Sequence, residues 1–381
     1  MNWDYKVLDE LGTVSRGRSR HRPRNDKSLF GGKYPFVQTA DVKAANLYLT
    51  DYTETYNEKG LEQSKLWKAG TLCITIAANI ADTAILGIDA CFPDSVMGFI
   101  PFDGVSNVKF IKYAFDLLQR DFKQISQGTA QDNLSWQKLE TIKFPAPDIE
   151  VQNKIVEILG SYDDLIENSR KQIKLLEEAA QRLYKEWFVD LRFPGYEDCK
   201  IVDGVPEGWK KVSLTQIAPI VTGKKDANFG TENGKYLFFT CAQEPIKAPS
   251  YSFDCDAVIL AGNGDFNVKL YRGQFEAYQR TYVFSPYKSQ NLYLLYYAVK
   301  DNMRQLFQGA SGSTIKFLTK RMLEEIMVYI PEEGTLDCFS NVCEAYQRKI
   351  EVLKDQMNKA QEARERLLLQ LMSGQVEVSI G

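Results

Sequence analysis

Histidine is nearly missing from this chain of 381 residues: His21 is the one copy. A Ser-His-Asp triad would have to use it, and it sits in a basic run with no evident acid partner. A zinc site of two cysteines and two histidines is excluded. The seven cysteines (Cys73, Cys91, Cys199, Cys241, Cys255, Cys338 and Cys343) form no Cys-x-x-Cys. A four-cysteine cluster therefore has no spacing to support it, no metal site is expected, and a reduced, cytosolic chain is the default. No two prolines adjoin, which removes the Asn/Asp-Pro-Pro-aromatic signature of amino-methyltransferases. No phosphate loop of the Gly-x-x-x-x-Gly-Lys-[Ser/Thr] form is present, and Gly262-Asn263-Gly264 is a lone Gly-x-Gly, too short to define a cofactor loop. Pro147-Asp148-Ile149-Glu150 hints at a nuclease acid pair but lacks the Glu-x-Lys that should follow. No apolar run reaches the ~18 residues of a membrane span. The first twenty residues, with Asp4, Asp9 and Glu10, do not read as a signal peptide. These absences favour a binding protein over an enzyme.

What is present is ordinary in bulk: 44% hydrophobic, 25% charged, enough chain for two or three domains with full cores. Self-comparison is more informative. An offset of 184 relates Tyr162, Ile166, Glu167, Gln172, Glu178, Ala179, Arg182 and Leu183 to Tyr346, Ile350, Glu351, Gln356, Glu362, Ala363, Arg366 and Leu367. It also relates Leu139, Ile142 and Pro147 to Leu323, Ile326 and Pro331. A second offset, 206, relates Trp3, Leu8, Leu11, Val14, Gly17 and Arg18 to Trp209, Leu214, Ile217, Ile220, Gly223 and Lys224. Chance likeness between amphipathic helices does not explain matches at both ends of each half. The chain is one design used twice, with about 22 extra residues inside the first globular part, the difference between the offsets.

The division that follows is globular 1–147, helix 148–188, linker 189–208, globular 209–335, helix 336–375 and tail 376–381. Apolar residues step by three and four through both helical stretches. Ile155, Ile158, Leu159, Tyr162, Ile166, Ile173, Leu176 and Leu183 form the packing stripe of the first. Val342, Tyr346, Ile350, Leu353, Met357 and Leu367 form that of the second. Each helix is about forty residues, or roughly 60 Å at 1.5 Å per residue. Helices that long with such a stripe want a partner, and close copies pair most simply with each other, antiparallel. Pro145, Pro147, Asp148 and Glu150 set the first start, and Pro331, Glu332 and Glu333 the second. Arg192-Phe193-Pro194-Gly195 and Gly204-Val205-Pro206-Glu207-Gly208-Trp209 mark the linker. The globular parts read as mixed α/β. Strands are expected at Phe36-Val37, 72–76, 96–100, 236–240, 257–260 and 280–284, and helices at 108–124 and 290–307.

Net charge is −3, but it is unevenly spread. Segments 1–147 and 209–335 carry +1 and +3, whereas 148–188 and 189–208 carry −3 each. A nucleic-acid surface needs only a local basic face. One is visible where Arg16, Arg18, Arg20, Arg22, Arg24 and Lys27 crowd twelve positions around His21. Alternate arginines in an extended loop point the same way, toward phosphates or guanine edges. Lys224 and Lys225 open the corresponding segment of the second half, and Lys316, Lys320 and Arg321 are further candidates. A solvated loop is the plain alternative. Tyr48, Tyr52 and Tyr56 alternate as on a strand, where packing is the commoner role than base stacking.

These residues carry a resemblance. Leu165-Ile166-Glu167-Asn168, the run from Leu183 through Asp190, Arg192-Phe193-Pro194-Gly195 and Pro206-Glu207-Gly208-Trp209 together resemble the central region of Type I restriction-modification specificity subunits. Gly60-Leu61, Lys68-Ala69-Gly70-Thr71, Gly128-Thr129, Leu134-Ser135, Leu139 and Gln279-Arg280-Thr281-Tyr282-Val283 are similar to the target-recognition domains of that family. The resemblance spans the chain. It implies two target-recognition domains, each reading half of a bipartite, asymmetric sequence in double-stranded DNA, on helices that fix the half-site spacing. It implies partners too. Two modification subunits would hold S-adenosylmethionine and methylate adenine N6, and restriction subunits would use ATP and Mg to translocate and cut. No catalytic residue or cofactor is then expected in this chain. Two alternatives are the specificity subunit of a fused restriction–methylation (Type IIB-like) system and a coiled-coil adaptor with no DNA role.

Overall fold

The computed structural model describes residues 3–76, 82–125, 136–310 and 316–379. Gly128-Thr129 and Leu134-Ser135 lie outside the described residues. The chain divides into two compact units, Met1–Ser169 with Gln356–Gly381, and Arg170–Asp355. Each is mixed α/β. Among the described residues, four helices reach ten residues: α1 (Val108–Ile125), α2 (Ile149–Tyr184), α3 (Leu292–Asp301) and α4 (Glu333–Met372). No helix among these residues is long and apolar enough to cross a membrane.

The first unit holds a five-stranded sheet in the order Gly12–Arg16, Val96–Pro101, Leu72–Thr75, Thr83–Leu86, Tyr48–Leu49. Its pairs are antiparallel except the last. A four-stranded sheet runs Glu54–Tyr56, Phe30–Phe36, Ala90–Cys91, Leu66–Trp67. The expected strand at Phe36-Val37 is the end of Phe30–Phe36, where Phe30 and Tyr34 both face Tyr56 across a bulge. The three alternating tyrosines do not share a strand. Tyr48 and Tyr56 sit on different ones and Tyr52 lies exposed between them. Tyr56 is a packing residue, stacked on Phe36 at 4.1 Å. In the second unit one six-stranded sheet runs Ile220–Thr222, Thr281–Phe284, Phe253–Ala261, Val268–Ala277, Tyr236–Phe239, Ile246–Ala248. Sequence reading missed Val268–Ala277, because Arg272, Gly273, Gln274 and Glu276 break its apolar pattern. The expected helix over 290–307 is broken at Asn302, whose side chain turns back to donate to the Ala298 carbonyl.

The two offsets seen in the sequence reappear as strand register. Tyr5 pairs with Pro145 in the first unit, and Lys211 with Tyr329 in the second. These positions are related by 206 and 184. The pair ties the start of each globular part to its end, just before the long helix. A second frame lies inside. Val14 pairs with Phe99 and Ile220 with Phe284. Gly17 then donates to the Val96 carbonyl, as Gly223 does to that of Thr281. A Cβ on either glycine would sit within 2.3 Å or less of a backbone oxygen, from Pro93 or Ala277. Both exits from the sheet therefore exclude a side chain. Between Gly17 and Phe92 lie 75 steps of chain, and between Gly223 and Ala277 only 54. Nearly all of the extra length sits there.

Within the first unit, Val151, Ile155 and Leu159 at the start of α2 share a core with Leu368, Leu371 and Met372 at the end of α4. Within the second, Tyr184, Trp187 and Phe188 share one with Leu336 and Phe339 at the start of α4. Phe188 meets Phe339 edge-on at 4.8 Å. The helices thus pair antiparallel in each unit. Of the stripe residues, Ile155, Leu159, Ile166, Ile350 and Leu353 are buried. Ile158, Tyr162, Ile173, Leu176, Leu183, Val342, Tyr346, Met357 and Leu367 are half-buried. Helix α4 begins at Glu333, three residues before Leu336, because Pro331 ends the preceding strand and acid suits the positive helix end. It stops before Gly374, whose φ of 69° suits glycine.

Two polar clusters fasten these helices to the globular parts. In the first unit Arg364 of α4 donates to Asp163 of α2 at 2.6 Å and to Asp116 of α1 at 3.3 Å. Tyr113 donates to Asp163 at 2.5 Å, and its ring lies 5.2 Å from the guanidinium. Lys112 pairs with Asp116, which balances two cations with two carboxylates. Asp163 is 6% exposed and Arg364 15%. In the second unit Glu344 of α4 accepts from Arg272 at 2.7 Å, Arg348 at 2.9 Å and Tyr293 of α3 at 2.9 Å. The Arg272 bond, with those from Arg348 and Tyr293, holds the Glu344 carboxyl down at about 2.

Two outcomes follow. Replacing Arg364 with Met takes the guanidinium from buried Asp163, leaves Lys112 to balance two carboxylates and costs about 3–5 kcal/mol of stability, read as an earlier urea midpoint. Glu344, depressed when folded, stabilises above its ordinary value of roughly 4.3. That contribution disappears as pH falls from there toward about 2. Melting curves across this window therefore drop less steeply for Glu344→Gln than for the parent chain.

Candidate nucleic-acid interface

The basic run of the first unit begins where the chain leaves the sheet at Gly17. Its arginines do not act alike. Arg18 is tied to a neighbouring segment, its Nε donating to the Ser64 carbonyl at 2.7 Å, while the Ser64 hydroxyl donates back to the Arg18 carbonyl at 2.8 Å. Gln63 Oε1 accepts from the backbone of Arg20 and His21 at 2.6 and 3.0 Å. Arg22 folds onto its own loop, donating to the carbonyls of Ser19 and His21 at 2.7 and 2.9 Å. Arg24 grips both oxygens of Asp94 at 2.6 and 2.8 Å. Three of the six cations therefore shape the loop. The side chains of Arg16, Arg20 and Lys27 are exposed and make no hydrogen bond or ion pair with another described residue. They are the cations of the cluster that the loop does not use.

His21 does have an acid partner, contrary to the sequence expectation. Its Nε2 lies 2.7 Å from Asp26, five positions on. Asp26 also accepts from the Ser28 backbone at 2.9 Å, which caps the turn Lys27–Leu29. The Ser28 bonds first, then His21, draw its carboxyl down to about 2. Among the described residues no hydroxyl or thiol bonds the His21 imidazole, so the contact is a loop fastening.

Beneath the loop lies a cleft of about 580 Å³, lined by Ser19, Arg24, Asn25, Lys27, Phe30, Phe36, Gln38, Glu54, Pro93 and Ser95. Cations sit at one side, aromatic rings form part of the wall, and an amide–carboxylate pair completes it. Gln38 Nε2 donates to Glu54 at 2.8 Å. Sequence reading named Arg24 and Lys27 here but missed Asn25, Gln38 and Glu54. Gln38 and Glu54 lie outside the basic run, and Asn25, inside it, carries no charge.

In the second unit Lys224 and Lys225 follow Gly223. Lys225 lies 4.4 Å over the Phe229 ring. Its carbonyl accepts from Gln279, the Arg280 carbonyl accepts from Gly262, and the Gly262 carbonyl accepts from Leu318. This ladder brings the Lys225 loop, the 278–280 turn and the Lys316 segment together. Lys316 lies 4.0 Å over exposed Phe307. Lys320 and Arg321 stand apart from that set and face Glu324 and Glu325 at 3.9 and 3.1 Å. By register, Gln279 and Arg280 occupy the positions that Asp94 and Ser95 hold in the first unit. Gln279 donates to Asp226 at 2.8 Å. Each loop is thus pinned to the same turn by a different polar pair.

The model of the Type I restriction modification DNA specificity domain matches residues 1–178 and 206–355, and this chain belongs to that family. The specificity subunit of the Type I restriction enzyme EcoDI from Escherichia coli is 41% identical over 127 residues, which cover 33% of this chain and 28% of that protein. The MjaIX specificity subunit from Methanocaldococcus jannaschii is 24% identical over 411 residues, covering 99% of this chain and 94% of its own length. The crystal structure of a Type-I restriction-modification S subunit from M. genitalium has the same fold. Its TM-score is 0.59 at 15% identity, over 99% of this chain and 97% of that one.

The division of labour among the basic residues is testable. Arg18→Ala lowers the melting temperature, since it leaves the Ser64 carbonyl without its donor. Arg20→Ala and Lys27→Ala leave melting unchanged and each lower the salt slope of DNA binding by about one. The reverse pattern in a salt titration would contradict the geometry.

Proposed function

We propose that this chain is the DNA sequence-specificity subunit of a Type I restriction-modification complex. It recognises and does not catalyse. The observation that carries this reading is a duplicated frame with unequal contents. Two units repeat the same strand registers, while the segment between Gly17 and Phe92 differs in length from its counterpart and carries the basic loop. Equal frames with unlike surfaces suit a reader whose two half-sites differ in sequence.

On this reading each globular part is a target-recognition domain for one half of a bipartite, asymmetric sequence in double-stranded DNA. Helices α2 and α4 set the half-site separation and dock two adenine-N6 methyltransferase subunits in the cytoplasm. S-adenosylmethionine belongs to those subunits, and ATP and Mg to the restriction subunits. Modules on one face of a duplex are best placed a helical turn, roughly 34–36 Å, or a multiple of it apart. Tethering two weak readers raises avidity only when both can engage at once. Family membership supports neither a fused restriction–methylation system nor a coiled-coil adaptor over this reading.

Deleting the gene should abolish adenine methylation at one bipartite motif in single-molecule methylome sequencing. Lengthening both helices by the same number of residues should change the gap between the half-sites while leaving each half-site intact. A gap that stays the same would overturn the spacer role.

A further inference from the structure

Glu54 is out of place in a basic cleft meant for DNA. A carboxylate facing phosphates is repelled, and as an acceptor-only group it gains nothing from a backbone of acceptors. Yet it lines the same cleft as Arg24 and Lys27 and is held there. Gln38 donates to it at 2.8 Å, and Gln38 is itself fixed by its backbone N–H, which donates to Asp41 at 2.8 Å. One amide donor leaves most of the acceptor capacity of a carboxylate unused. Arg24 does not neutralise it, because that guanidinium is spent on Asp94.

The major groove offers a carboxylate two kinds of donor, cytosine N4 and adenine N6. Guanine O6 and thymine O4 occupy comparable places as acceptors and are repelled. We infer that the cleft under the arginine loop is a base-reading site and that Glu54 is its specificity-determining residue, selecting a base with an exocyclic amino group, adenine or cytosine, at one position of the half-site read by this unit. Lys27 at the rim contacts phosphate and adds affinity without choice of base. Eight of the ten lining residues fall in the segment between Gly17 and Phe92, where the two halves of the chain differ in length. The inference rests on the DNA-recognition reading above.

Glu54→Gln tests it, because glutamine keeps the shape and adds a donor that guanine and thymine can use. The parent and variant chains, assembled with their modification subunits, are titrated against duplexes carrying each base at each half-site position. The parent should prefer adenine or cytosine by roughly tenfold at one position. The variant should lose that preference there, keep every other position, and melt at the parent temperature. A base profile unchanged at every position overturns the inference. So does uniform weakening across all bases, the behaviour expected of Lys27→Ala. A parent complex that selects no bipartite sequence at all would overturn the recognition reading itself, and this inference with it.

Discussion

The bond between Arg364 and Asp163 is the contact on which the first unit depends. It joins residues 201 positions apart and brings the last turns of α4 against the first turns of α2. Around it the apolar stripes of both helices close a core that neither could close alone. A buried ion pair gains little over an apolar one of the same shape, but a broken one is costly. The pair therefore acts as a register pin. Any other alignment of the helices would part Arg364 from Asp163 and leave Asp116 with Lys112 alone. Glu344 and Arg272 fill the corresponding place in the second unit, with Tyr293 standing where Tyr113 does. Glu344 and Tyr293 lie about one helical turn before the positions that the repeat assigns to Asp163 and Tyr113, whereas the arginine now comes from strand Val268–Ala277 and not from a long helix.

Much of this was legible in the sequence, and the limits are instructive. The long helices announced themselves because apolar residues recur at steps of three and four over many turns. The repeat was visible because its matches bracket each half, and the strand pairs Tyr5 with Pro145 and Lys211 with Tyr329 show why those matches exist. Asp163 was invisible. A charged residue in a helix normally faces water, and its partner lies in another part of the chain. Strand Val268–Ala277 was hidden for a related reason, since Arg272 and Glu276 on it serve contacts made elsewhere. The arginine cluster was legible as charge and not as geometry. Composition does not tell a guanidinium that holds its own loop, as in Arg18 and Arg22, from one left in solvent, as in Arg20.

The family gives these features their setting. Members of a DNA specificity family must present different surfaces on a common support. Here the support is the pair of inner and outer strand registers, with Gly17 and Gly223 fixing where the variable segments leave it. Polar ties then hold each loop to the same turn, Arg24 to Asp94 in one unit and Gln279 to Asp226 in the other. The tie changes its chemistry without changing its job, which leaves the rest of each loop free to differ.

Helix α4 also sets an order of events during synthesis. The first unit is begun first and finished last. Its globular part leaves the ribosome early, yet the helix turns carrying Leu368, Leu371 and Met372 emerge only after the whole of the second unit. Until then Val151, Ile155 and Leu159 lack part of the apolar cover they have in the finished protein. The second unit needs only residues 170–355 and can be complete while the first still waits. A released chain truncated before residue 356 would thus carry one finished unit and one open core, a natural substrate for chaperones.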